Sequence, residues 1–303
     1  MIKTEGLTKK FDDYTALDNV SCSIPDGCIC GIVGSNGAGK STLLRLITGI
    51  YKPDTGSIYI DDMPVFDNPS IKGRLAFVPD DLYFIPSATI NKMSDLYRSV
   101  YPNFDMDRCK SLAESFKLEM NRPIATFSKG MKRQAATLLT LATKADYLFF
   151  DETFDGFDPI VRNYVKSIIC QDVIERKSTA IITSHSLREL EDVCDKLALL
   201  HKGGLILQSD VDNLKTSHFK VQIAFPFDYD ESLFEGIDYK RFIKTGSVSS
   251  MIIKGDRNET EVKLRKLNPV ICDILPLTLE EVFSYEMDAL EYSFDISLTG
   301  MEG

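Results

Sequence analysis

The chain has 303 residues, 44% hydrophobic and 26% charged, enough for one large domain or two with a full core. Its formal net charge of −10 argues against nucleic acid or an anionic membrane surface as a partner, since both need clustered Lys and Arg. No apolar run reaches the roughly 18 residues of a membrane span, MIKTEGLTKKF lacks the apolar region of a secretory signal, and the seven cysteines are odd in number without C-x-x-C spacing, as expected of reduced thiols in a cytosol.

Residues 1–25 alternate in the manner of strands, with turn signals at Asp12-Asp13 and Pro25-Asp26-Gly27. A short apolar run, Cys28 to Val33, then reads as a buried strand, and Thr42 to Ile47 carry helical spacing. After a turn at Lys52 to Gly56, Ser57 to Ile60 and Arg74 to Val78 read as short strands. The stretch from about 85 to 143 is helical, broken at Pro86, Pro102 and Pro123. Buried strands follow at Tyr147 to Phe150 and Thr179 to Thr183, then a charged helix from Leu187 to Cys194 and strands at Lys196 to His201 and Leu205 to Gln208. Buried strands alternating with helices predict an α/β fold with a largely parallel sheet, antiparallel N-terminal strands and an inserted helical subdomain.

The pattern changes after about Lys215, and about seven of the ten net negative charges follow Thr216. Strands are expected at Phe219–Phe225, Lys240–Lys244, Ser247–Lys254 and Val270–Leu275, with helices at Glu231–Glu235 and after Asn258, where Glu261 suggests a capping box. That order, β-α-β-β-α-β, is the order of a ferredoxin-like module. A helix from Leu279 to Met287 and an acidic tail complete the reading, with domains at 1–215 and 216–303.

Between the strand ending at Val33 and the helix that begins near Thr42 stands Gly34-Ser35-Asn36-Gly37-Ala38-Gly39-Lys40-Ser41. Strand, glycine loop and helix in that order form the context of a phosphate-binding loop. Its glycines let backbone N–H groups turn inward around phosphate oxygens, and the helix N-terminus adds partial positive charge. Lys40 would reach the β- and γ-phosphates of a nucleoside triphosphate, and the Ser41 hydroxyl would ligate Mg²⁺. At the end of Tyr147–Phe150, Asp151 is placed to support that metal, and Glu152 to accept a proton from attacking water. No N-K-x-D guanine-reading pattern is present, which disfavours a GTP site.

On these motifs, residues 1 to about 215 resemble the nucleotide-binding domain of the ATP-binding-cassette (ABC) superfamily. The resemblance implies further roles. Phe11, 29 residues before Lys40, would stack on adenine, with Tyr14 as a second candidate. Phe127-Ser128-Lys129-Gly130-Met131 resembles the signature LSGGQ, with Lys129 and Met131 departing from it as in drug, peptide and antibiotic-type exporter subunits. Ser128 would cap a helix running from about Met131 to Thr143, and Ser128 and Gly130 would meet the ATP held by a second subunit. Asp155 to Pro159 resembles the D-loop, in which Asp158 would contact that subunit. His185 resembles the switch histidine that senses γ-phosphate. Asp80 stands where the family usually has the hinge-loop Gln, and is retained as a Mg²⁺ ligand candidate. Leu277-Thr-Leu-Glu-Glu-Val-Phe283 resembles a closing element of exporter subunits.

The resemblance thus implies an ATP hydrolase powering a membrane transporter, of the exporter type. It would work as a homodimer, or as a heterodimer with a related ATPase subunit, cytoplasmic and peripheral on a separate permease. The groove near residues 80–105 is the expected permease contact. Alternatives are a soluble cassette ATPase of translation or DNA repair, disfavoured because neither a second cassette nor a coiled-coil insertion is present, and a nucleotide-binding regulator with little hydrolysis, motivated by Asp80.

Overall fold

Alternation in the first 24 residues produces a hairpin of β1 (Ile2–Phe11) and β2 (Tyr14–Ile24), turned by Asp12 at φ 50°. β3 (Ile29–Val33) is buried throughout and leads through the glycine loop into α1 (Lys40–Ile47). β4 (Thr55–Ile60) adds to β1 antiparallel, and the two-residue β5 (Met63–Pro64) closes an N-terminal sheet ordered β2-β1-β4-β5. A single turn, α2 (Pro69–Lys72), precedes β6 (Leu75–Val78).

The helical stretch resolves into α3 (Ile90–Val100), α4 (Met106–Ser115) and α5 (Lys129–Ala142). Their starts are written locally, because Thr89, Asp105 and Ser128 each accept a hydrogen bond from the backbone N–H three residues on. β7 (Tyr147–Phe150), α6 (Pro159–Arg176), β8 (Thr179–Ser184), the one-turn α7 (Leu187–Leu190), β9 (Lys196–His201) and β10 (Gly204–Asp210) follow. The central sheet is ordered β10-β9-β3-β8-β7-β6, and the β9–β3, β3–β8, β8–β7 and β7–β6 pairs are parallel. Its middle strands carry side chains that are buried on both faces, as parallel strands covered by helices must. Adjacent β3, β8 and β7 therefore end together on one edge, which is where α/β sheets collect their functional loops.

The computed structural model describes residues 1–288 and forms two compact units, Met1–Gln208 and a second from Ser209. The second unit comprises α8 (Val211–Ser217), β11 (His218–Ala224), a 3₁₀ turn at Glu231–Phe234, β12 (Tyr239–Thr245), β13 (Val248–Lys254), α9 (Arg257–Arg265), β14 (Ile271–Pro276) and α10 (Leu279–Asp288). Its sheet order, β12-β13-β11-β14 with every pair antiparallel, is the ferredoxin-like arrangement. Phe219, Val221, Ile223, Phe234, Met251, Ile253 and Leu264 form its core.

Three local expectations are corrected. The helix expected from Leu187 to Cys194 stops at Leu190, because the N–H groups of Val193 and Cys194 both return to the Leu190 carbonyl and close the turn. The cap of α9 is Asp256, which accepts from the Glu259 N–H at 2.8 Å, while Glu261 pairs with Arg265 four residues on. The helix at Glu231–Glu235 is a single 3₁₀ turn. The capping box is found instead at α10, where Thr278 and Glu281 exchange hydrogen bonds of 2.9 and 3.2 Å. The acidic tail lies outside the described residues.

Candidate nucleotide site

Two glycines of the loop are required by geometry. A Cβ on Gly34 would lie 2.4 Å from the Leu200 carbonyl oxygen, and Gly39, at φ 103°, would press one 2.7 Å from the Ala16 carbonyl oxygen. Gly39 is the N-cap of α1 and offers no side chain to its first turn. The N–H donors of that turn thus remain for an anion.

Lys40 is 5% exposed, and its ammonium folds back on the loop. It donates to the carbonyls of Gly34 at 2.7 Å and Ser35 at 3.1 Å and pairs with Glu152 Oε1 at 2.9 Å. Glu152 lies at φ 46°, an unusual backbone for a residue with a Cβ, held by its N–H donating to Thr183 Oγ1 at 2.9 Å. Its other carboxylate oxygen meets His185 Nδ1 at 3.1 Å, and His185 Nδ1 also lies 3.2 Å from Asp155 Oδ2. Burial works to raise the Glu152 carboxyl, but hydrogen bonds from Lys40 and His185 outweigh it and hold the group below its ordinary value. The same Glu152 contact raises His185. Asp155 is pushed up to about 6, first by burial, with Glu189 and Glu152 adding to it against the pull of His185.

Asp151 is fully buried. Its Oδ1 accepts from Ser41 Oγ at 3.0 Å and from Thr183 Oγ1 at 2.8 Å, while its buried Oδ2 has no protein partner. Burial pushes its carboxyl up despite both hydroxyls. A buried carboxylate oxygen without a partner, beside a hydroxyl at the head of the phosphate loop, is a donor set that suits a hard cation or its water.

Glu152, Asp155 and His185 line one cavity of about 490 Å³, with Tyr14, Ala16, Asn36 to Thr42, Asp80, Lys129 and Arg133 completing the wall. Phe11 lies outside that lining and packs edge-on against Tyr51 at 5.5 Å. Tyr14 does line it, and its hydroxyl donates to the Gly37 carbonyl at 3.2 Å. Ser128 and Gly130 are not in the lining, although Lys129 between them is. Ser128 caps α5, and Asp158 caps α6 by accepting from the Ile160 and Val161 N–H groups at 3.0 Å.

Asp80 reaches the cavity with one carboxylate oxygen already engaged, because Arg133 Nη2 donates to Asp80 Oδ1 at 2.6 Å. Sequence reasoning gave no site role to Arg133 or Thr183 and named Asp155 only as the start of the D-loop stretch. The available signal for Arg133 was a cation at position i with Thr137 and Thr140 at i+4 and i+7, the side of α5 that proves to be buried.

Residues 17–155 match the family model described as ABC transporter. The chain is 31% identical over 283 residues to the ABC transporter ATP-binding protein YtrB of Bacillus subtilis, covering 93% of this chain and 97% of that one. It is 28% identical to the daunorubicin/doxorubicin resistance ATP-binding protein DrrA of Streptomyces peucetius, over 71% of this chain and 67% of the relative. Among solved structures, the dimeric post-hydrolysis cassette MJ0796 bound to ADP and Pi aligns with 70% of this chain and 99% of its own, at TM-score 0.64 and 22% identity, a likeness of fold.

Proposed function

Because the chain belongs to the family of ABC transporter ATP-binding proteins, we propose that it binds and hydrolyses ATP with Mg²⁺ as a dimer and so powers a separate permease. The observation that carries this reading is the continuous series Lys40–Glu152–His185 along one wall of the phosphate-loop cavity. Lys40 is the counter-ion of Glu152. A γ-phosphate competes for that ammonium, and its arrival frees Glu152 to take a proton from water. Lys40 then neutralises charge on the phosphoryl oxygens, and His185, oriented by Glu152 and Asp155 at Nδ1, presents Nε2 to the γ-phosphate.

Ser41 and Asp151 would hold Mg²⁺, which when bound neutralises phosphate charge. Tyr14 is the aromatic ring best supported as the adenine platform. The first turn of α5, carrying Ser128 and Gly130, and the Asp158 segment would complete the site of a second subunit.

The exposed apolar side chains Tyr83 and Ile85, after Asp80, and Leu96 and Val100 on α3 supply a surface suited to a membrane partner. None of the described helices is long and apolar enough to cross a membrane, which fits a permease on another chain. The resistance function in the name of DrrA supports the export direction.

Glu152→Gln tests the reading. It should leave ATP binding intact, lower turnover by about 10²- to 10⁴-fold, and accumulate an ATP-dependent dimer in size-exclusion chromatography. Turnover at the wild-type rate would sink the role given to Glu152.

A further inference from the structure

Arg133 is 2% exposed and sends its guanidinium from α5 into the meeting point of three loops. Nη2 donates to the Asp80 main-chain oxygen at 3.0 Å and to Asp80 Oδ1 at 2.6 Å. Nη1 donates to the main-chain oxygens of Glu152 and of Asp155, the latter at 3.1 Å. A buried guanidinium needs a counter-charge, and the rigid fork of Arg holds several acceptors in fixed relation. Asp80 supplies the one carboxylate paired with it among the described residues, and that carboxylate is 54% exposed on its other side.

We propose that Arg133 is a positioning residue that fastens the loop after β6 to the two turns after β7, with Asp80 as its counter-ion rather than as a metal ligand. The loop at Asp80 enters the helical region, and α5 returns from it, so both anchors of this clamp move when α3–α5 move. The other end of the clamp is the Glu152 peptide, at φ 46°, and the Asp155 peptide three residues on. Displacement of the helical region is thereby delivered to the backbone that aims the Glu152 carboxylate at Lys40 and His185. The first turn of α5 tightens the same joint, because a Cβ on Gly130 would lie 2.9 Å from the Gly156 carbonyl oxygen. The proposal rests on Glu152 as the residue that activates water, and it adds the route by which a permease movement would reach it.

The test uses the full chain, first without nucleotide. Asp80→Asn keeps the shape at a half-exposed position and removes the charge, while Arg133→Lys keeps the charge and removes the fork. In both, amide hydrogen exchange at residues 152–157 should quicken by roughly tenfold or more, with β3 and β8 unchanged. In MgATP turnover, kcat should fall several-fold while KM for ATP stays within about twofold. Unchanged exchange at 152–157, together with a several-fold rise in the Mg²⁺ needed for half-maximal turnover of Asp80→Asn, would overturn the proposal and make Asp80 a ligand. Faster exchange throughout Met1–Gln208 would also overturn it, leaving Arg133 a general support of the fold. The exchange measurement needs no hydrolysis, so it stands apart from the fate of Glu152→Gln.

Discussion

Replacing Thr183 by valine leaves the shape of the side chain nearly unchanged and removes one hydroxyl from the floor of the site. That hydroxyl donates to Asp151 Oδ1 at 2.8 Å and accepts from the Glu152 N–H at 2.9 Å, and Thr183 is 1% exposed. Valine would leave the Glu152 N–H without a partner and Asp151 with Ser41 alone on Oδ1. A buried donor left unsatisfied costs about 1–3 kcal/mol, and a hydrogen bond to a charged group contributes about 1.5–3. Because Asp151 keeps one hydroxyl, the two losses together come to about 2–3 kcal/mol. For a unit of this size, ~1 kcal/mol moves the melting temperature by about 2–4 °C, so Thr183→Val should melt roughly 4–12 °C lower without nucleotide. Thr183→Ser, which restores the hydroxyl, should recover most of that. The Glu152 backbone at φ 46° is also released, so turnover should fall by more than stability alone explains. Differential scanning calorimetry and MgATPase assays on the three proteins decide the matter. A valine variant that melts within 1 °C of wild type would refute the bridging role of Thr183.

Lys40→Ala removes the ammonium paired with Glu152 at the head of the phosphate loop, and should abolish ATP binding in equilibrium dialysis; retained micromolar affinity would contradict the phosphate-loop assignment. Tyr14→Ala should weaken ATP binding about tenfold, the loss of an aromatic contact of ~1.5 kcal/mol, and Phe11→Ala by less than twofold, with the reverse ranking restoring Phe11 as the adenine platform. The pH dependence of nucleotide-free stability follows from the signs at Glu152 and His185. His185 is raised, so its contribution is complete below the ordinary 6.5 and is lost as pH rises through its higher folded value. Glu152 is lowered, so its contribution is present above the ordinary 4.5 and is lost as pH falls through its lower folded value. Stability from this pair should therefore be greatest between pH 4.5 and 6.5, and His185→Gln should flatten the decline on the alkaline side, as read by chemical denaturation across pH.

What could be read from the sequence was what is contiguous in it. The buried strand, glycine loop and helix from Ile29 to Ile47 occupy one stretch, and Asp151 and Glu152 directly follow an unbroken apolar strand. The ferredoxin-like order of the second unit was likewise carried by alternating strands with local turns. α6 escaped notice because Ile160 and Ile174 are exposed on it, which blurs the apolar stripe that marks a helix. Thr183 and Arg133 act across gaps of 31 and 53 residues, and no propensity or local spacing encodes such meetings. Phe11 and Tyr14 are three residues apart across a hairpin turn, so distance along the chain from Lys40 could not separate them; the turn at Asp12 is what sends Tyr14 to the Gly37 carbonyl and Phe11 to Tyr51.

Asp80 reads differently beside its neighbours in the fold than it does alone in the sequence. A shorter, charged side chain in place of an amide invites a metal, and that is how the position reads by itself. In the folded chain the charge already has a partner, since Arg133 would otherwise be a buried cation without a counter-ion. The two residues are best understood as one feature. Removing either leaves the other uncompensated, so neither reports its own worth when changed alone. The informative comparison is the double-mutant cycle of Asp80→Asn with Arg133→Lys, because a shared clamp makes the second change smaller in the background of the first. Independent roles at the metal and in the fold would make the two effects add.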